Sequence, residues 1–386
     1  MFVTPLFKLM ADKQASDMYF TVGAPIQIKI NGVVMPINSQ ALDAEQCKKI
    51  CYELMNEAQI KEFESIHEMN FAQSGGDLGN YRINIFRQKN TVAMVIRFVK
   101  PDVPSFESLG LPSILKEVIM EKLGLILVVG STGSGKSTTM ASMIDHRNTL
   151  RTGHILTIED PIEFMFKHKK SIVNQREVRV DTQSYSNALI SAMREAPDLI
   201  MIGEIRDQPT LQNALLFAQT GHLCMSTLHA NNSYNALNRI INFFPREARE
   251  SLLADLSIAL RAVISQRLVR TMDGKRIPAV EILLNTKHVQ ELIKNGELGQ
   301  IKDALEQSLA PGSQSFEQAL FQLITSGKVA VEEAMAASDS PTNLHWLLSN
   351  APKPTGAAGA AAAAGATKPP APDDITSIKL NLDALG

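Results

Sequence analysis

The residues Gly130-Ser131-Thr132-Gly133-Ser134-Gly135-Lys136-Ser137 follow an apolar run at 125–129 and precede a helix-compatible stretch at 138–146. A glycine, four spacer residues and Gly-Lys-Ser between a strand and a helix make a phosphate-cradling pattern. Its glycines let successive backbone N–H groups curl toward phosphate oxygens, its lysine reaches the outer phosphates, and its hydroxyl ligates Mg²⁺. This loop and Thr138 behind it are therefore expected to bind a nucleoside triphosphate, with Ser137 as a metal ligand.

Hydrolysis needs, in addition, a carboxylate that orients water and another in the metal shell. The apolar run 155–158 leads into Glu159, Asp160 and Glu163, and the run 199–202 leads into Gly203-Glu204, with Arg206 and Asp207 beyond. Ligands of open parallel sheets gather at the carboxyl ends of strands, so both acidic clusters are expected beside the phosphate loop. His222 and His229 flank the apolar run 223–228. They admit two readings, contact with the terminal phosphate or packing in the core; with Cys224 they still lack the fourth ligand of a zinc site.

A further pair of residues stands out in two alternating runs. Tyr81, Ile83 and Ile85 alternate with Arg82 and Asn84, and Val92, Met94, Ile96 and Phe98 alternate with Ala93, Val95 and Arg97. A hairpin with a four-residue loop at 88–91 sets Tyr81 against Phe98, Ile83 against Ile96 and Ile85 against Met94, giving one apolar face. The same register puts Arg82 opposite Arg97. Like charges so placed are destabilising unless an anion lies between them. A nucleotide phosphate from another subunit is the expected anion, as for arginine fingers.

Several elements must position these groups. Residues 1–100 read as an α+β domain: alternating residues from Met18 to Ile30, the turn signal Asn31-Gly32, a return strand at 33–37, a helix across 44–64, and the hairpin. Pro101, Pro104 and Pro112 mark a linker at 101–113. From 114 to 349 short apolar strands alternate with helical segments, the rhythm of a mostly parallel sheet with covering helices. Beyond Pro245 the pattern, including Leu252, Leu256, Leu260 and Val263, reads as largely helical. The Ala/Gly/Pro-rich stretch 350–374 reads as a flexible tether. The terminal peptide 375–386 is either a solvated end or a docking segment.

A formal charge of −2 over 386 residues argues against a generally basic nucleic-acid binder. The three cysteines lack a disulfide or metal pattern, the first residues do not show a basic stretch followed by a long apolar core, and the strongest apolar run, at 123–129, is far short of the ~20 residues that span a bilayer. A reduced, cytoplasmic location is expected.

The phosphate loop, the acidic box Ile158-Glu159-Asp160-Pro161-Ile162-Glu163-Phe164, the segment Gly203-Glu204-Ile205-Arg206-Asp207 and the histidine box from Thr220-Gly221-His222 to Leu228-His229-Ala230 resemble those of secretion and type IV pilus ATPases. Ala15-Ser16-Asp17-Met18 with Val22-Gly23-Ala24-Pro25 resembles the start of their N-terminal domain. The resemblance covers about residues 5–330 and is strongest to the PilT/PilU family of pilus retraction ATPases. It implies a PAS-like N-terminal α+β domain, a RecA-like P-loop ATPase domain with a helical C-terminal part, and a homo-hexameric ring using ATP and Mg²⁺. By position it makes Glu163 the catalytic glutamate, Glu204 the metal-shell glutamate, His222 and His229 the histidine-box residues, and Arg82 and Arg97 inter-subunit arginines.

The family's third basic hairpin position falls near Asn90. Its Ala-Ile-Arg motif is replaced here by Thr286-Lys287-His288-Val289-Gln290-Glu291-Leu292-Ile293. That departure and the tail resemble the accessory PilU branch. They imply a PilT-type paralogue and an inner-membrane pilus platform as partners, with peripheral attachment to the cytoplasmic face of the inner membrane. Two other classes remain as expectations: an ATP-binding scaffold ring with little turnover, and a nucleic-acid translocase. The second lacks the basic and aromatic interleaving that single strands require.

Overall fold

The computed structural model describes residues 2–30, 32–99 and 102–350. The expected terminal peptide, and the expected tether beyond Asn350, lie outside the described residues. So does Asn31 of the expected turn. The described residues form two compact units, one up to residue 99 and one from Asp102 onward.

The first unit is a six-stranded antiparallel sheet in the order β3-β2-β1-β6-β5-β4, with β1 Asp17–Phe20, β2 Pro25–Ile30, β3 Val33–Ala41, β4 Glu68–Ser74, β5 Asn80–Gln88 and β6 Thr91–Val99. One face packs on helices Thr4–Asp12, Ala44–Glu53 and Glu57–Ile66 through a core that includes Leu6, Met18, Ile28, Ile50, Phe63, Ile83 and Ile96. The single helix expected across 44–64 is two. Asn56 breaks it by accepting from the Gln59 amide, while Gln59 reaches back to the Asn56 N–H, a complete capping box that starts the second helix.

The second unit contains a seven-stranded sheet in the order β13-β12-β7-β11-β10-β8-β9. Its strands are β7 Gly124–Val129, β8 Gly153–Glu159, β9 Ser171–Glu177, β10 Leu199–Ile202, β11 Leu223–Leu228, β12 Leu260–Arg270 and β13 Arg276–Leu284. All neighbours are parallel except β12 and β13. Leu125, Leu127 and Val129 of β7 enter one core, while Ile126 and Val128 enter the core on the opposite face. Burial on both faces explains why the central strands read as unbroken apolar runs.

The same burial concealed β12. Leu260 and Val263, expected in a helix, lie in this strand, where Ala262, Val263, Ile264, Ser265 and Gln266 are all buried and no polar alternation signals the two-residue period. Residues 102–113 are not a free linker, because Phe106 packs into the second unit's core from a short helix, Phe106–Leu109. Among the described residues, no helix is long and apolar enough to cross a membrane.

Candidate active site

Four loops leave the carboxyl ends of the adjacent strands β7, β11, β10 and β8. They carry the phosphate loop, His229, Glu204 and the acidic box, and they enclose one cleft of about 520 Å³.

The loop after β7 is shaped by the lack of side chains at two glycines. A Cβ at Gly130 (φ +154°) would lie 2.5 Å from the Gln266 carbonyl oxygen, and one at Gly135 (φ +89°) would lie 2.8 Å from the Gln266 side-chain nitrogen. Such contacts, in a region of backbone space that L-residues rarely enter, leave glycine as the residue that fits. Gly135 then starts the helix Lys136–Leu150, whose first amide groups lack partners within the helix and suit an anion. Lys136 is buried, and its Nζ donates to the Gly130 and Ser131 carbonyls at 2.9 Å each. Burial lowers its pKa from the ordinary lysine value, and the Glu204 charge acts in the opposite sense.

Of the nine loop residues expected to bind, Thr132, Gly133, Gly135, Lys136, Ser137 and Thr138 line the cleft. Gly130, Ser131 and Ser134 belong to the frame behind it: the first two hold Lys136, and Ser134 accepts from Gln266 Nε2 at 2.8 Å.

Glu163 and Glu204 face the same cleft. The backbone of Glu163 is braced by buried Glu159, which accepts its N–H at 3.4 Å and also accepts from Thr157 Oγ1 at 2.7 Å and Gln175 Nε2 at 3.2 Å. Glu204 accepts from Arg206 Nε at 2.6 Å, and its other oxygen lies 3.2 Å from His229 Nε2. The Glu204 hydrogen bond raises the Arg206 pKa.

The two histidines part company. His222 precedes β11 and His229 follows it, so they lie at opposite ends of a strand roughly 20 Å long. Only His229 reaches the cleft. The His222 ring sits edge-on to Phe217 and is within 3.3 Å of both Thr220 Oγ1 and the Phe217 carbonyl.

Arg82 and Arg97 stand opposite each other in the first unit, as the register argument expects. The loop is tighter than expected, with Lys89 and Asn90 at positive φ between Gln88 and Thr91. The anion demanded by the facing charges comes partly from the unit itself. Asp17 is opposite Arg97 on β1 and accepts from Arg97 Nε at 2.9 Å. The register alone therefore does not require a foreign phosphate.

Sequence reasoning missed several cleft residues. Arg276 and Leu268 come from the unrecognised β13 and β12, and Thr227 lies one residue before the end of β11, a strand otherwise read as packing. Tyr185 is held so close to the backbone that a Cβ on Gly203 would meet its hydroxyl at 2.7 Å; burial and then the Asp160 charge push its pKa up. Gln266 was missed because its partners Ser134 and Thr139 are distant in sequence.

The type II/IV secretion system protein family matches residues 2–336. The chain belongs to this family. Within it, the type IV pilus ATPase PilU of Pseudomonas aeruginosa is 46% identical over 344 residues, covering 89% of this chain and 90% of that protein. The type IV pilus retraction ATPase PilT of the same organism is 38% identical, covering 88% and 99%. The crystal structure of the pilus retraction motor PilT with bound ADP superposes with a TM-score of 0.83 at 39% identity, covering 90% of this chain and 99% of that one. This member of the secretion-ATPase family is thus an ATPase on its PilT/PilU branch.

Proposed function

We propose that this ATPase powers type IV pilus retraction as a homo-hexameric ring, accessory to a PilT-type paralogue and attached peripherally to the cytoplasmic face of the inner membrane through a pilus platform protein. The observation that carries the enzymatic part is the meeting of Lys136, Ser137, Glu163, Glu204 and His229 in one cleft. The assignment to pili rests on the named relatives, and the accessory role rests on the departure at 286–293 and on the tail. The division into a domain at 1–100, a connecting segment, an ATPase domain to 349, a tether and a terminal peptide is part of the same reading.

In this reading the loop amides and Lys136 hold the outer phosphates, exchanging the Gly130 and Ser131 carbonyls for phosphate oxygens. Glu163 orients the attacking water, and His229 stands at the terminal-phosphate side, steadied by Glu204. Mg²⁺ fits the donors present: Ser137 and Glu204 both line the cleft and would hold it together with nucleotide oxygens and water. It would offset phosphate charge there. Arg82 and Arg97 of a neighbouring subunit complete the site, while His222 is left to packing.

The test is ATPase rate and surface motility. Glu163→Gln is expected to lower turnover at least ~100-fold with nucleotide still bound, the usual size of a general-base contribution, and Lys136→Ala to abolish it; both lose motility. Wild-type turnover no higher than that of Glu163→Gln would instead support a scaffold ring, against which the shared cleft of both carboxylates counts.

A further inference from the structure

The strand β12 has two working faces. Successive residues of a strand point to opposite sides, and here Gln266 and Leu268 face the phosphate loop while Ser265 and Arg267 face away from it. Gln266 is buried; it donates to the Ser134 carbonyl at 2.8 Å and accepts from Thr139 Oγ1 at 2.6 Å. On the other face, Ser265 Oγ donates to buried Glu281 at 2.8 Å.

Arg267 joins three parts of the chain. Its NH1 donates to the Ala337 carbonyl at 2.6 Å and its NH2 to the Asn231 carbonyl at 3.1 Å. NH2 also pairs with Asp339, and the guanidinium lies 4.1 Å from the centre of the Phe316 ring. The second Asp339 oxygen accepts from Asn232 Nδ2 at 2.9 Å. Asp339 is itself held in place, because buried Glu317 accepts from Ser338 Oγ, the Asp339 N–H and the Ser340 N–H at 2.9, 3.1 and 2.8 Å.

These contacts converge on three consecutive residues. Arg267 holds Asn231, Asp339 holds Asn232, and Glu281 accepts the Ser233 N–H at 2.7 Å. They form the far end of the short loop that begins at His229, whose ring meets Glu204 in the cleft. The helices Phe316–Thr325, Val331–Ala337 and Pro341–Ser349 supply the Phe316 ring, the Ala337 carbonyl and the Asp339 turn.

We infer that Arg267 and Asp339 are positioning residues through which the C-terminal helices fix the loop carrying His229. The inference rests on the reading of His229 as the group beside the terminal phosphate. A misplacement of about 1 Å at such a group can lower turnover on the order of 100-fold. A planar, five-donor guanidinium can serve two carbonyls, a carboxylate and a ring face together, which an ammonium cannot. The state of the C-terminal helices then sets how well the cleft senses its terminal phosphate, while Gln266, on the opposite face of the same strand, keeps the phosphate loop in place.

The experiment is a double-mutant cycle on the full-length protein. Arg267→Lys and Asp339→Asn are each made in wild type and in His229→Ala, with kcat and the KM for ATP measured at enzyme concentrations that register residual turnover. Each single change is expected to lower kcat roughly 10-fold with KM moving less than about 2-fold, and to lower it less than about 2-fold further once His229 is gone. The same fold-loss in both backgrounds would mean a structural role independent of His229 and overturn the proposal while leaving the His229 reading intact. Unchanged kcat for His229→Ala alone would overturn both. Asp339→Asn is the milder change, so the cycle remains readable if Arg267→Lys melts early, and unchanged kcat for Asp339→Asn in wild type would also sink the idea.

Discussion

At the scale of single residues, the phosphate loop shows how closely glycine identity is tied to space. Gly133 and Gly135 both adopt positive φ, +80° and +89°, but nothing lies within 4 Å of a Cβ built on Gly133. Alanine there carries only the backbone cost of about 1–2 kcal/mol. At Gly135 the new methyl would meet Gln266, which is pinned by Ser134 and Thr139 and cannot move aside. Gly135→Ala should therefore weaken binding of a fluorescent ATP analogue much more than Gly133→Ala; equal losses would show that strain alone governs the loop. The sequence pattern identified these glycines, but not Gln266, because its contacts depend on β12 lying beside β7.

Glu281 gives a pH prediction at the same scale. Burial raises its folded-state pKa above the ordinary 4.5, opposed by the hydrogen bonds from Ser233 and Ser265. A raised carboxyl contributes stability that is fully present below the unfolded pKa and is lost as pH rises through the folded one. Glu281→Gln removes that titration. Melting temperature measured from pH 4.5 upward should fall less steeply for the variant than for wild type, and parallel profiles would contradict the assignment.

Among the elements, the β5–β6 hairpin and β12 explain opposite outcomes of sequence reading. The hairpin has one apolar and one polar face, so a one-residue slip would expose the apolar set, and the register could be read from side chains alone. Strand β12 is buried on both sides and carries no such signal. The hairpin's turn was the part that the apolar pattern did not specify: Lys89 and Asn90 take φ of 45° and 61°, matching the twist of the strands. A β-branched residue is poorly suited to that conformation. Asn90→Val should cost about 1–2 kcal/mol, seen as a lower urea midpoint for the N-terminal unit, whereas Asn90→Gly should be close to neutral. The split between Ala44–Glu53 and Glu57–Ile66 was present in the sequence as Asn56 and Gln59, but the continuing apolar periodicity obscured it.

For the whole molecule, the proposed ring turns on where the arginines act. Asp17 already compensates Arg97, so the hairpin has an internal reason to tolerate facing charges, and the argument for a foreign phosphate now rests on the family resemblance and on the proposed ring. Two variants separate the possibilities. An Arg82→Ala/Arg97→Ala variant keeps its phosphate loop, and Lys136→Ala keeps its arginines. If each site combines the loop of one subunit with the arginines of another, mixing and reassembling two inactive variants regenerates intact sites at about a quarter of the interfaces in a random equal mixture. ATPase activity should then appear where neither variant alone has any. If the arginines serve only their own chain, every site in the mixture lacks one component or the other, and the mixture stays inactive.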